Sequence, residues 1–231
     1  MVALLRNDDR SALNRRGFLR VSFGAASGLL VSLYLQPNSV GEALGQEGNP
    51  TPPPQQPKVF PPDAFVNIRP DGKIVIQVNR LEFGQGVHTS LPMVLADELD
   101  ADWTNVIAEL APAADVYKDP LFNIQLVGGS GSIAHSFQQY RELGAKTRAM
   151  LVAAAAERWK TTPDKCRTEA SVVQGPAGQA AKYSELAAEA ARKPVPTNVR
   201  LKSPGEFRFV GKPTKRLDSA AKCDGTLKFG L

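Results

Sequence analysis

Two glycine-rich loops, each placed directly before a predicted helix, constrain this chain more than any other feature of its sequence. The first is the Gly-Gln-Gly sequence at 84–86, ahead of a helix predicted over 89–100. The second is Gly-Gly-Ser-Gly-Ser at 128–132, ahead of a long helix predicted over 132–160. The first N–H groups of a helix lack partners within it, and the helix dipole favours negative charge there. Each loop is therefore a predicted anion cradle, and two cradles in one domain indicate a phosphorylated cofactor.

A single glycine loop before a helix is more often a structural connector than a ligand site, and no glycine-rich stretch of this chain matches a known nucleotide-binding motif. The first loop carries Thr89 where a dinucleotide fingerprint needs a third glycine. The stretch 205–213 ends in Gly-Lys-Pro and not in the Gly-Lys-Ser/Thr of a phosphate-binding loop. A hydrolase nucleophile elbow needs glycines two residues to either side of its serine, and Ser132 stands two residues after Ser130. The sequence therefore disfavours ATP, NAD and serine-hydrolase chemistry.

The rest of the body is predicted to be α+β, with a hairpin, glycine loops that lead into helix N-termini, and one long Ala-rich helix packed on a mixed sheet. Ile74, Ile76 and Val78 alternate with other side chains beside Asp71-Gly72, which indicates a hairpin with one buried face. The further predicted elements are the helix over 89–100, a strand over 106–110, the helix over 132–160, a strand over 168–174 and a short helix over 184–191.

Side-chain spacing predicts how the two longer helices pack. Leu91, Leu95 and Leu99 form one apolar stripe, with Thr89 or Ser90 as the cap and Pro92 tolerated in the first turn. In the long helix one stripe is expected to be buried and another to face away, with Glu142 paired to Lys146. The buried stripe is Phe137, Tyr140, Leu143, Thr147 and Leu151, and the outward residues are Gln138, Gln139, Arg141 and Glu142.

The N-terminal region has the layout of a bacterial twin-arginine export signal, predicted over 1–45. Arg15 and Arg16 precede an uncharged run at 21–35, which is shorter than the roughly 20 residues of a membrane span. A buried or membrane-anchoring helix is the alternative interpretation. Proline is dense over 46–62, which predicts an extended linker. The predicted lobe then covers 63–193, and 194–231 is a predicted extended linker leading to the start of a missing domain.

Composition narrows the possible partners and ligands. The formal net charge is +5, but the 28 Lys and Arg residues form no block or aromatic-studded stripe, which excludes a nucleic-acid partner. His88 and His135 are each interpreted as a local cap or packed ring, with a catalytic base as the alternative. Cys166 and Cys223 are too few for a disulfide framework or a zinc-built domain; they either pair or stay free, and the free state is favoured.

Six landmarks in order resemble a known family. They are the opening hairpin, LEFGQGVHT at 81–89, ELDADW at 98–103, GGSGS at 128–132, the Ala-rich helix, and VGKPTKRLDSAAKCDGTLKFG at 210–230. This combination resembles the molybdenum-cofactor subunit of the xanthine dehydrogenase/aldehyde oxidase family, especially the exported isoquinoline 1-oxidoreductase beta-subunit type. Within the last landmark of this chain, at 210–230, the residues Arg216, Asp218, Lys222 and Gly225 resemble the entry into the family's next, substrate-facing domain.

The resemblance implies a cofactor and a set of contacts. The cofactor would be molybdenum on a molybdopterin, in its cytosine dinucleotide form, and the matching positions are Gly84, Gln85, Gly86, Gly129, Ser130, Gly131 and Ser132. Its partners would be an iron–sulfur small subunit and the remainder of the large subunit, and membrane contact would occur only through the export signal. The family's catalytic carboxylate has no counterpart here, so the chain is expected to be an inactive N-terminal fragment.

The whole enzyme implied by this resemblance would be periplasmic and would oxidise an aldehyde or an N-heterocycle with oxygen taken from water. Two other hypotheses remain open at this stage. The chain could be a non-catalytic exported interaction module whose glycine loops are purely structural. It could also be a binding domain for another phosphorylated ligand.

Overall fold

A mixed three-stranded sheet begins the folded body, which the computed structural model describes over residues 62–226. After helix α1 (Pro62–Phe65), strands β1 (Val66–Ile68) and β2 (Ile74–Val78) pair antiparallel. Strand β3 (Val106–Leu110) pairs in parallel with β2. The predicted hairpin, third strand and α+β class are confirmed. The predictions for residues 1–61, including the export signal, lie outside the described residues.

Helix α2 (Val87–Leu99) makes the crossover from β2 to β3. Its predicted leucine stripe is fully buried, but the predicted cap is wrong. The cap is Gly86 in a left-handed conformation, while Ser90 Oγ donates to the Gly86 carbonyl and Thr89 Oγ1 accepts from the Leu217 N–H. Because the helix begins two residues earlier than predicted, Pro92 lies in its second turn and not its first.

The predicted long helix is broken into a short helix α3 (Gly131–Ala134) and helix α4 (Phe137–Arg158). The break falls at His135 and Ser136, whose side chains bond to residues distant in sequence. Of the predicted inner stripe, four residues are buried and Phe137 is half-buried, and the Glu142 to Lys146 pair forms at 3.5 Å. Gln139 was predicted to face outward and is buried, so that part is wrong.

Helix α4 packs mainly on α2. A Cβ placed on Gly144 would lie 2.4 Å from the Leu95 carbonyl oxygen, so only glycine permits this close approach. The helix meets the mixed sheet at the end of β2, where the Tyr140 hydroxyl donates to the Gln77 carbonyl at 2.8 Å and accepts from the Asn79 N–H at 3.1 Å. Three of the four consecutive alanines at 153–156, Ala154, Ala155 and Ala156, are buried.

A second, antiparallel sheet replaces the single strand predicted over 168–174. It consists of β4 (Arg167–Glu169), β5 (Val172–Gln174) and β6 (Ala180–Lys182), followed by helix α5 (Tyr183–Ala190). Ala170 and Ser171 make the turn with φ of 44° and 64°. The Ser171 N–H donates to the Asp100 carbonyl, and Ser171 Oγ accepts from the Asp102 N–H. These tertiary bonds stabilise a turn that has no Gly, Asn or Pro to signal it.

The stretch from 194 to 217 has little regular secondary structure, and part of it is held against α2 by buried carboxylates. Asp97 accepts the N–H groups of residues 208–210, and Glu98 accepts the N–H of Lys202 and the guanidinium of Arg141. The Lys202 ammonium lies 2.6 Å from Asp100 Oδ1. A last short helix, α6 (Ser219–Cys223), follows. These contacts make the stretch part of the same folded body.

Three further findings bear on the sequence interpretation. Cys166 and Cys223 are both free, as favoured. Within residues 62–226, no helix is long and apolar enough to cross a membrane. In the same part of the chain, no group of three or more His, Cys, Asp or Glu side chains is arranged to hold a metal ion.

Candidate functional site

A buried ion pair brings the two glycine loops to the same end of the body. Arg80 directly precedes the first loop segment and is only 1% exposed. Its guanidinium lies 2.6 Å from Asp119 Oδ2 and donates to Ser136 Oγ and to the Leu126 carbonyl oxygen. Leu126 and Ser136 flank the second glycine loop. The structure therefore joins the two predicted loops through Arg80, a residue that the sequence interpretation did not single out.

Asp119 is the centre of this cluster. Its Oδ1 accepts the N–H groups of Leu121 and Phe122, and its Oδ2 lies 3.0 Å from His135 Nδ1. Burial raises the pKa of Asp119, but the hydrogen bonds from Phe122, His135, Arg80 and Leu121 outweigh burial and lower that pKa to about 2. The Asp119 carboxylate is therefore ionised at neutral pH. His135 is a packed and paired ring, which agrees with its structural interpretation.

The first glycine loop does hold an anion, but that anion is a side chain of the protein. Glu82 Oε1 accepts the N–H groups of Gly84 and Gly86 at 2.8 and 3.0 Å, and Oε2 accepts the N–H of His88 at 3.0 Å. Burial raises the pKa of Glu82, yet the backbone hydrogen bonds and Lys222 lower it overall. The prediction that this loop holds a ligand phosphate is therefore corrected, because the Glu82 carboxylate already occupies the cradle.

Gln85, the predicted polar contact, is exposed and folds back on its own loop. Its Oε1 accepts the Phe83 N–H at 2.8 Å, and its Nε2 donates to the Leu81 carbonyl at 2.7 Å. One amide proton and one oxygen lone pair remain for a ligand. Next to it, Gly84 has a φ of 117°, and a Cβ built there meets no atom within 4 Å. The loop therefore presents open space above a backbone conformation that favours glycine.

The C-terminal stretch closes over this loop. Arg216 Nη1 donates to the Gly84 carbonyl oxygen at 3.0 Å, and Arg216 Nη2 lies 3.3 Å from Glu82 Oε1. Asp218 pairs with Arg216 at 2.7 Å and with Lys222 at 2.5 Å, and Lys222 also reaches Glu82 at 3.8 Å. Three residues that resembled the entry into another domain thus support the first loop.

The second loop offers free polar groups. Gly129 and Ser130 both have a φ of 56°, and Ser130 precedes α3, which is too short to carry a large dipole. The prediction that this loop leads directly into a long helix is therefore wrong. Within residues 62–226, the hydroxyls of Ser130 and Ser132 make no hydrogen bond to the protein. A Cβ on Gly129 would meet no atom within 4 Å, whereas one on Gly131 would lie 2.5 Å from the His135 ring.

Exposed apolar side chains accompany both loops. Phe83, at the tip of the first loop, is 68% exposed, and the Phe122 ring stands edge-on to His135 at 5.3 Å. Exposed apolar groups that cluster in this way mark a binding surface more often than isolated ones do. We call this set the apolar rim: Leu81, Phe83, Leu121, Phe122, Ile124 and Ile133.

His88 differs from His135. Its N–H is bound by Glu82, and its ring Nε2 is buried without a hydrogen-bond partner in the described part of the chain. Burial lowers the pKa of His88, so the ring is neutral at neutral pH. This placement supports the packed-ring interpretation over that of a general base.

The chain is similar to several known proteins. The family model described as the molybdopterin cofactor-binding domain matches residues 24–229. A membrane-bound aldehyde dehydrogenase [pyrroloquinoline-quinone] from Gluconacetobacter polyoxogenes is 31% identical, over 96% of this chain and 28% of that protein. Isoquinoline 1-oxidoreductase subunit beta from Brevundimonas diminuta is 30% identical, over 95% of this chain and 32% of that protein. The chain thus spans less than a third of the length of either relative.

Among solved structures, quinoline 2-oxidoreductase from Pseudomonas putida 86 matches 56% of this chain and 16% of its own chain. The sequence identity is 19% and the TM-score is 0.42.

Proposed function

The chain belongs to the family of molybdopterin cofactor-binding domains, and from this premise we propose that it is the cofactor-gripping part of an exported molybdenum hydroxylase. The observation that carries the proposal is the family match over residues 24–229, which includes both glycine loops. Two relatives named for the oxidation of an aldehyde and of isoquinoline support an aldehyde or N-heterocycle as the substrate of the whole enzyme.

The residues of both loops fit a pterin with an anionic end. The open space at Gly84 and Gly129 would let a ligand approach the backbone closely. At the second loop, the hydroxyls of Ser130 and Ser132 and the nearby backbone N–H groups would hold the phosphate, because consecutive N–H groups in such a turn form a concave anion nest. At the first loop, the free proton of the Gln85 amide would meet the cofactor. Gly86 and Gly131 shape the two loops without contributing side chains.

When bound, the molybdenum cofactor would supply the chemistry that oxidises the substrate with an oxygen atom from water. The residues of this chain would bind it and orient it. The residues of the apolar rim lie near the two loops in the sequence, and in the whole enzyme we propose that the remainder of the large subunit covers them. Electrons would pass to an iron–sulfur small subunit, and the cytosine dinucleotide form of the cofactor would place an extended anionic tail at the second loop.

Export through the twin-arginine route to the periplasm is part of the same proposal. It depends on Arg15 and Arg16, which lie outside the described residues. This route carries proteins that are already folded, often around a cofactor, which suits a domain of this family.

The direct test measures bound cofactor. The 231-residue chain is expressed with a supply of molybdenum cofactor, alone and continuous with any coding sequence downstream. We expect molybdenum by mass spectrometry, pterin by fluorescence after oxidation, and cytidine monophosphate after acid hydrolysis. Pyrroloquinoline quinone is assayed in the same samples, since the name of one relative contains it. Quinone without pterin in the completed protein would refute the proposal.

A further inference from the structure

We propose that Glu82 is the positioning residue of the first glycine loop: its carboxylate, and not a phosphate of the cofactor, occupies the N-terminus of α2. The proposal deepens the proposed function and depends on it, because it divides the work between the two loops. The second loop would hold the anionic end of the cofactor, and the first would meet an uncharged part of it.

At the first loop, Glu82 already binds the N–H groups that a second anion would need. Glu82 binds three N–H groups through its two oxygens, all at 3.0 Å or less, and these are the groups that a phosphate would need. Its side chain is 12% exposed. A phosphate could reach those N–H groups only by displacing Glu82 and breaking its contact with Arg216.

The charges around Glu82 are balanced. Glu82 and Asp218 contribute two negative charges, and Arg216 and Lys222 contribute two positive charges, all linked by contacts of 2.5 to 3.8 Å. Both cations of this cluster are therefore paired already, and neither is left to attract a phosphate. A ligand phosphate brought here would meet two carboxylates at close range.

Glu82 also sets the shape of the loop tip. It fixes the N–H groups of Gly84 and Gly86 from one side, and Arg216 binds the Gly84 carbonyl oxygen from the other. The Gln85 amide closes the remaining turn. The exposed tip, Phe83 to Gln85, is thus held in one conformation before any ligand arrives, which lowers the entropy lost on binding.

The experiment follows individual backbone amides of the ¹⁵N-labelled 231-residue chain by NMR while inorganic phosphate is added. In the wild type we expect the amides of Gly84, Gly86 and His88 to be unaffected. In Glu82→Ala, and in the more conservative Glu82→Gln, we expect these amides to shift with phosphate. Glu109→Gln, an exposed change at the end of β3, is the matched control and should behave as the wild type does.

Two outcomes would overturn the proposal. One is a wild-type response of these amides to phosphate, since Glu82 would then not keep the anion out. The other is a Glu82→Gln variant that folds but still ignores phosphate, because Glu82 would then be an ordinary helix cap. If Glu82→Ala fails to fold, the wild type and Glu82→Gln still decide the question. Pterin content is measured separately, so failure of the proposed function is distinguishable: a chain without pterin still supports the Glu82 assignment if its wild-type amides ignore phosphate and its Glu82→Gln amides respond to it.

Discussion

Replacing Asp119 by asparagine should strongly destabilise the buried Arg80–Asp119 cluster that joins the two glycine loops. The carboxylate is fully buried, 2.6 Å from the Arg80 guanidinium, and accepts two backbone N–H groups. Asparagine keeps the shape but leaves the buried Arg80 charge without its partner. Loss of one partner of a buried pair typically costs about 3–5 kcal/mol. Because domains are stable by about 5–15 kcal/mol, we expect the variant to fold with a clearly lower free energy of unfolding.

The pH dependence of stability gives a second, independent magnitude. The pKa of Asp119 is lowered from 3.8 to about 2 in the folded protein. A lowered carboxyl pKa contributes stability that is complete above the unfolded value and is lost as the pH falls towards the folded value. At 1.36 kcal/mol per unit, the whole contribution is roughly 2 kcal/mol. About 1 kcal/mol of it should be gone by pH 3, since the unfolded state is then mostly protonated and the folded state is not.

The assay is urea unfolding at pH 7 and at pH 3, with tryptophan fluorescence as the signal that monitors unfolding. The wild type should lose about 1 kcal/mol more than Asp119→Asn between these values, because the variant has no carboxyl group to titrate there. Glu109→Gln serves as the exposed control and should keep the wild-type difference. Combining Arg80→Met with Asp119→Asn should recover part of the stability at pH 7, since it removes the lone buried charge. Equal losses in wild type and Asp119→Asn would refute the assignment of the pH-dependent stability to this cluster.

Three further predictions test the loops and the export signal. Gly131→Ala should lower the free energy of unfolding by about 1–3 kcal/mol in thermal denaturation, because its Cβ would overlap a neighbouring histidine ring; an unchanged melting temperature would contradict this packing. Gln85→Ala and Ser130→Ala, in the completed enzyme, should each lower cofactor occupancy about tenfold if each removes a contact of roughly 1.4 kcal/mol. Unchanged cofactor occupancy in both variants would indicate that the loops are purely structural. Changing Arg15 and Arg16 to lysine should retain the protein in the cytoplasm on fractionation, and continued export would refute the signal.

The elements that could be predicted from sequence are those whose pattern is local. Strand β3 forms at its predicted residues because a short apolar run between turn signals needs no distant partner to be recognised. The leucine stripe of α2 is buried as its spacing predicts. The glycine loops could also be predicted, because positions such as Gly84 take a φ of 117°, which residues other than glycine rarely adopt.

The elements that were missed depend on contacts between distant residues. The break between α3 and α4 arises because Ser136 bonds to Arg80, and nothing near Ser136 in the sequence signals that bond. The turn at Ala170 is stabilised by tertiary bonds through its neighbour Ser171. Glu82 was the closest to being predictable: an acidic residue shortly before a glycine-capped helix is a capping signal, yet the cradle was assigned to a ligand.

Acidic residues in and next to the ELDADW stretch show how the body of the fold reaches the site. Asp97, Glu98 and Asp100 lie at the end of α2 and bind Lys202 and residues 208–210 through ion pairs and backbone N–H groups. With those residues held against α2, the chain that follows is directed to the opposite end of the helix, where the Thr89 hydroxyl accepts the Leu217 N–H and Arg216 meets the first loop. A stretch that resembled a functional landmark therefore acts through structure, since its buried carboxylates secure the segment that delivers Arg216 to Glu82.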